Sequence, residues 1–405
     1  MPKWVPPSPT SCKLKWTWSS VFLNTALTKS CYHNPASKFN TDTFDFHNIP
    51  IKVEDRRQML NGEWPSGCSY CSKTEAVGGK SDRQSQNEIP AHWPHNIDLV
   101  TKPKIVEVFF NNTCNLSCVY CSPALSSTWA DETRKFGPIA VNPRSGSVEV
   151  NRDEYRQVVD GFFEWLATNK QDLERLHVLG GEPFLLTETD RLLDTLATAT
   201  SRLELNLVSN LMIPSHIFQR KVDKLVALVN NKHLSSVVIM ASIDGWGAEV
   251  DFQRWGIDRE LWLTNFNILL NTQEIKLDIN VALTCLTIPS LPALITKWNE
   301  WNQVKPVGLQ GTRVFEPSFL APEVLPAHLN RPAFEQAINL IPEDTWYKRW
   351  SKERFSNLMA VFDKYPEGNV SEMKRLQQYL NELGSRRSIN WEEIFPNISM
   401  EFEKL

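Results

Sequence analysis

The chain has 405 residues, 41% hydrophobic and 22% charged, enough for two or three domains at roughly 100–200 residues each. That composition excludes a disordered, collagen-like or low-complexity protein. A formal charge of −4, with no long run of like charge, argues against a polyanion binder and gives no support to a nucleic-acid substrate. Apolar runs such as Val237–Ile243 fall far short of the ~20 residues a bilayer requires. The first residues, MPKWVPPSPTSCK, lack the apolar stretch of a signal peptide, so a cytoplasmic location with no membrane partner is expected.

Residues 1–75 are rich in cysteine and aromatics, with short strands expected around Lys15–Leu23 and a helix around Val53–Leu60. Residues 76–103 turn polar, with Gly78-Gly79 and three prolines, and read as a linker wrapped over a surface. A different rhythm then begins. Short β-branched or apolar runs at 105–110, 173–179, 203–209, 236–243, 277–284 and 307–315 alternate with stretches long enough for crossover helices. That alternation implies parallel strands joined by right-handed crossovers. The expected fold is therefore α/β: a partial (β/α)6 barrel over 104–320, preceded by a small Cys-rich module and followed by a helical cap over 321–405.

Seven of the eight cysteines lie in the first 121 residues, so metal chemistry is to be sought there. Directly after the first barrel strand, CNLSCVYC places Cys114, Cys118 and Cys121 as C-x3-C-x2-C. Three thiolates on one loop can hold three corners of a [4Fe–4S] cubane, leaving one iron open, whereas structural zinc prefers four ligands. Loops at the C-terminal ends of barrel strands are also where α/β barrels carry their chemistry.

These residues resemble the radical SAM superfamily, whose cluster motif has this spacing with an aromatic residue, here Tyr120, before the last cysteine. The resemblance implies that Tyr120 packs near the adenine of S-adenosylmethionine. It also implies that Gly180-Gly181-Glu182-Pro183, ending the second strand, receives the amino group of that cosubstrate. Ser209 and Asn210 after the third strand, and Ser242 and Asp244 after the fourth, resemble the polar strand ends that contact its ribose and carboxylate. Each of these strand ends alone would read as a cap or turn.

The other N-terminal cysteines, Cys12, Cys31, Cys68 and Cys71, run C-x18-C-x36-C-x2-C, and their spacing fits a saturated cubane or a zinc ion equally. With Trp16, Trp18 and the W-P-x-x-C-x-x-C of Trp64–Cys71, they are similar to the auxiliary-cluster modules called twitch or SPASM domains. That similarity favours a second [4Fe–4S] cluster. Here the module precedes the barrel instead of following it. The resemblance extends over roughly residues 10–320.

What the resemblance implies is reductive cleavage of S-adenosylmethionine to a 5′-deoxyadenosyl radical, which abstracts hydrogen from the substrate. A ribosomally made peptide or protein is the expected substrate, with oxidation or rearrangement of a small molecule as the alternative. An electron donor such as flavodoxin or ferredoxin is implied, and a substrate-delivery protein would suit a peptide. A zinc-bearing Cys-rich scaffold is the non-enzymatic alternative. No catalytic acid, base or thiol is assigned. Cys285 reads as a buried thiol, His177 as a packed core histidine and Arg313 with Glu316 as a surface ion pair. Lys80 and Arg83 belong either to a solvated linker or to the active-site lining.

Overall fold

A computed structural model describes residues 5–89, 91–94, 97–146, 152–198 and 202–405. Eleven strands occur among them. Near the N-terminus these are β1 (Trp18–Phe22), β2 (Leu27–Lys29) and β3 (Ser37–Lys38). Then come β4 (Ile105–Phe109), β5 (Ser117–Cys118), β6 (Arg175–Leu179), β7 (Glu204–Ser209) and β8 (Ser236–Ser242). The last are β9 (Arg254–Trp255), β10 (Ile275–Leu283) and β11 (Val307–Arg313). Nine form one sheet in the order β11-β10-β8-β7-β6-β4-β1-β2-β3, and β5 pairs with β9. All six expected strands are present, neighbour beside neighbour in chain order, and every pair among them is parallel. The order is linear: among the described residues the two edge strands do not pair with each other.

The helices used below are α1 (Pro50–Leu60), α2 (Ser69–Ala76), α3 (Asp82–Glu88), α4 (Ser127–Phe136) and α5 (Arg152–Asn169). They continue with α6 (Thr187–Leu196), α7 (Ser215–Asn230), α8 (Arg259–Asn271) and α9 (Leu291–Trp301). The C-terminal ones are α10 (Ala327–Leu340), α11 (Trp346–Leu358) and α12 (Val370–Arg387). In α7 the buried Phe218, Val222, Leu225 and Leu228 recur at helical spacing, making one apolar stripe. Asp258 starts α8 by accepting from the backbone N–H of Glu260 and Leu261. Helices α5 to α9 cover one face of the sheet, where Val106, Val108, Leu176, Leu205, Ile239 and Ile279 meet residues such as Phe162, Trp262 and Trp298.

The opposite face is different. In β10 burial alternates: Ile275, Leu277, Ile279, Val281 and Leu283 face the helices, while Lys276 is exposed and Asp278 and Asn280 are half-buried. A parallel sheet is ordinarily covered on both faces. Here the second face keeps polar side chains and partial exposure on central strands.

The N-terminal segment departs from the expected layout. Strand β1 pairs in parallel with β4 and extends the main sheet, so the Cys-rich segment is continuous with it. The stretch expected as a linker contains α3, opened by a capping box from Ser81 to Gln84. Positions 90, 95 and 96 of that stretch lie outside the described residues. Arg83 on α3 is buried, paired with Glu75 at 2.7 Å and donating to the carbonyl of Ser11, whereas exposed Lys80 pairs with Glu88. The polar composition that suggested a linker thus serves to clamp α3 onto the Cys12 loop.

Candidate functional site

The loop carrying Cys114, Cys118 and Cys121 leaves the C-terminal end of β4 and is held on every side. Ser127 and Thr128, opening α4, donate to the carbonyl of Cys114, and the Cys114 N–H donates to Ser127 Oγ at 3.0 Å. Cys118 lies on β5, paired with Arg254 on β9. The Trp129 indole donates to the Cys118 carbonyl at 2.7 Å. From α12, Tyr379 donates to the Val119 carbonyl at 2.6 Å and Arg387 to the Ser117 carbonyl at 3.0 Å.

The GGEP turn docks against the same loop. Gly181 N–H donates to the Leu125 carbonyl and Glu182 N–H to that of Thr113, at 3.1 and 2.8 Å. Gly181 has φ +51°, and a Cβ there would stand 2.3 Å from the Thr113 oxygen, so only glycine fits. Glu182 is fully buried. It accepts from Phe184 N–H, Ser209 Oγ and Asn210 N–H, and burial still pushes its carboxyl up to about 7.

Asp244, also fully buried, accepts from the Tyr120 hydroxyl at 2.6 Å and from Ala282 N–H at 2.7 Å. Its carboxylate is paired with Arg254, whose Nη2 stands 3.3 Å from Oδ1. Arg254 Nε is 2.8 Å from Oδ2 but off the line of a hydrogen bond. Desolvation alone would lower the guanidinium pKa, yet Asp244, Tyr120 and Cys118 beside it hold it above its ordinary value.

The structure therefore brings together Cys114, Cys118, Cys121, Tyr120, Gly180, Gly181, Glu182, Pro183, Ser209, Asn210, Ser242 and Asp244 at one end of the sheet. Glu182, Ser209 and Asp244 are engaged with other parts of the chain, bracing strand ends. Two donors point at sulfur: Asn210 Nδ2 is 3.6 Å from Cys114 Sγ and Arg254 Nη1 is 4.0 Å from Cys118 Sγ. Burial pushes the Cys114 and Cys121 thiols up to about 12 and raises that of Cys118. Cys285 is fully buried, its thiol likewise raised by burial. Arg313 pairs with Glu323 and not with Glu316.

Cys12, Cys31, Cys68 and Cys71 are also brought together, each within electrostatic reach of at least one of the others. Cys12 and Cys68 share an apolar cluster with Trp16, Trp18, Met59 and Ile105, the first residue of β4. Buried Lys15 is held by Asp55 at 2.5 Å and Asn34 at 3.0 Å, and Asn34 accepts from the Cys31 thiol. Among the described residues, no three His, Cys, Asp or Glu side chains converge on one ion-sized position. Among the described residues, no helix is long and apolar enough to cross a membrane.

Sequence reasoning missed Arg254, Trp129, Tyr379 and Arg387. Arg254 reaches the loop through a two-residue strand, and Tyr379 and Arg387 act from more than 250 residues away. No local pattern marks such residues.

No protein-family model matches the chain, and no curated protein does. Similar solved structures include anSMEcpe with bound AdoMet and Kp18Cys peptide, at 15% identity and TM-score 0.38. That likeness covers 67% of this chain and 64% of that one, just under two thirds of its length. Another is Streptococcus suis SuiB bound to precursor peptide SuiA, at 11% identity and TM-score 0.38, covering 82% of this chain and 70% of that one.

Proposed function

We propose that this chain is a radical SAM enzyme of the twitch/SPASM-like kind, acting on a peptide or protein. The observation that carries the reading is the loop itself. Three thiols leave the C-terminal end of β4, two of them approached by side-chain donors from Asn210 and Arg254, which suit sulfurs bearing negative charge.

The residues fit a three-cysteine [4Fe–4S] cluster. Cys114, Cys118 and Cys121 would hold it, and Gly180, Gly181, Asn210, Ser242 and Tyr120 would line the place for S-adenosylmethionine. When bound, the pair supplies one-electron cleavage of the cosubstrate to a carbon-centred radical. The chain's own part is positional. Glu182, Ser209 and Asp244 lock the strand ends, Arg254 balances the charge of Asp244 beside Cys118, and Trp129, Tyr379 and Arg387 fix the loop backbone. Cys12, Cys31, Cys68 and Cys71 would hold a second cluster with no open iron, suited to electron transfer. The peptide substrate rests on the resemblance to auxiliary-cluster enzymes.

The test is iron and acid-labile sulfide per chain after anaerobic reconstitution, in wild type and in the Cys114/Cys118/Cys121→Ala variant. About eight irons falling to about four is the expected result for two cubanes. Four falling to zero would leave the N-terminal cysteines to zinc or to no metal. No iron in either protein would refute the enzyme reading and leave the zinc scaffold.

A further inference from the structure

On the open face of the sheet, side chains fall into rows set by strand register. The lowest row holds Arg175, Glu204 and Ser236, and it is internally partnered, with Lys276, which by register stands one row higher beside Val238, reaching down to it. Arg175 pairs with Glu204 at 2.7 Å, Ser236 donates to Glu204, and Lys276 donates to Ser236. One pleat higher, Glu107, His177 and Asn206 stand side by side on β4, β6 and β7. This row is not satisfied. His177 Nε2 and Asn206 Oδ1 are buried with no hydrogen-bond partner among the described residues, although Asn206 is only 6% exposed. Burying an unpaired polar atom is costly, so the pair calls for a partner.

Above that row the face is apolar on β4, β6, β7 and β8, with Asp278 of β10 in register beside Met240. Phe109, Leu179, Val208 and Met240 are half-buried on central strands, so the face is open there. The cysteine loop begins at the top of the same strands. Trp18, with its ring 5.6 Å from that of His177, closes the β1 side. The cleft thus has an apolar wall one pleat, or about 7 Å, deep, ending on two unpaired polar atoms carried by side chains in register on neighbouring strands.

From this we infer that the row Glu107–His177–Asn206 is the end of a substrate pocket for a long side chain with an apolar stem and an N–H-bearing tip, of lysine or glutamine type. The inference rests on the peptide-modifying reading and names the residue that site takes. The group offers what such a tip needs. Asn206 Oδ1 accepts, neutral His177 accepts on Nε2 in its Nδ1–H tautomer, and Glu107 retains one carboxyl oxygen beyond the one bonded to Ser20. Burial, with Arg175 nearby, draws the imidazole pKa down to about 3, so it carries no charge to repel an ammonium.

Blocked single residues serve as probes on the full chain: N-acetyl, N′-methylamide derivatives of lysine, glutamine, glutamate and norleucine, titrated by saturation-transfer NMR. The lysine or glutamine probe should bind at least tenfold more tightly than norleucine, which has the stem without the donor. Whichever of the two binds tighter identifies the tip. Asn206→Leu should abolish that preference and raise the melting temperature of the free protein, because it removes an unpaired buried atom. Equal binding of norleucine, binding of none of the probes, or an Asn206→Leu variant that melts lower and keeps the preference would each overturn the inference. Cleavage of S-adenosylmethionine by the reconstituted protein is measured separately. If cleavage is absent but probe discrimination holds, the radical-enzyme reading falls and the pocket stands, and the reverse result has the reverse meaning.

Discussion

Gly181→Ala would place a Cβ 2.3 Å from the backbone oxygen of Thr113 and 3.1 Å from that of Asn111, in a residue with φ +51°. Two costs combine. Alanine in the left-handed region loses about 1–2 kcal/mol relative to its preferred backbone. Forcing the loop away adds about 1–3 kcal/mol, since the obstructing atoms are backbone and not a mobile side-chain tip. The expected destabilisation is therefore about 2–5 kcal/mol, read from the urea midpoint at constant slope. Gly62→Ala is the control: φ is +79° there, but nothing lies within 4 Å of the added methyl, so only the conformational cost applies. The difference between the two variants isolates the clash. Because Glu182 N–H donates to the same Thr113 oxygen, moving that carbonyl also shifts Cys114, and reconstituted iron should fall with stability. Equal urea midpoints for the two alanine variants, with iron retained at position 181, would refute the claim that GGEP is built to dock on the cysteine loop.

Two further outcomes follow from the same geometry. Tyr379→Phe removes the one donor given by α12 to the buried Val119 carbonyl and should cost about 1–3 kcal/mol, together with slower cluster assembly; unchanged stability and assembly would mean that α12 only covers the loop. Glu107 is raised from an ordinary 4.5 to about 7 by burial, against the opposing effects of Ser20 and Lys29. The folded state therefore binds more protons than the unfolded one between those values, and stability should fall as pH rises from 4.5 to 7. At about 1.4 kcal/mol per pH unit, the difference between wild type and Glu107→Gln should change by roughly 3 kcal/mol across that window and stay flat outside it. Parallel stability–pH curves would refute the raised pKa.

The strand–helix alternation was legible because each parallel strand is a short apolar run and each crossover helix carries its own stripe, both local signals. The cysteine loop was legible because its thiols lie within eight residues. The partners of that loop were not. Arg254 meets Cys118 across 136 residues, and Tyr379 and Arg387 approach from a helix whose leucines read simply as packing. His177 illustrates a subtler limit. Alternation on its strand marks the imidazole as turned away from the helices, but the loss of its partner depends on the register with Asn206, which no single strand encodes. The joining of β1 to β4 was hidden for the same reason: five residues of WSSVF carry no mark of their neighbour.

That joining bears on how the two cysteine sets relate. Cys12 and Cys68 pack with Ile105 at the start of β4, and Cys114 follows its end, so about 13 Å of strand separates the two ends. Between them on the open face lie Glu107 and Phe109, with His177 and Leu179 in register beside them. An N-terminal position for the Cys-rich segment thus does not take it away from the cleft, because the parallel pairing of β1 with β4 returns it to the bottom of the same face. A side chain seated on His177 and Asn206 would have its stem toward the Cys114 end of β4 and its tip beside Trp18. Trp18, its ring 5.6 Å from that of His177 on one side and 5.6 Å from that of Tyr32 on the other, is the side chain that joins the open face to the N-terminal segment.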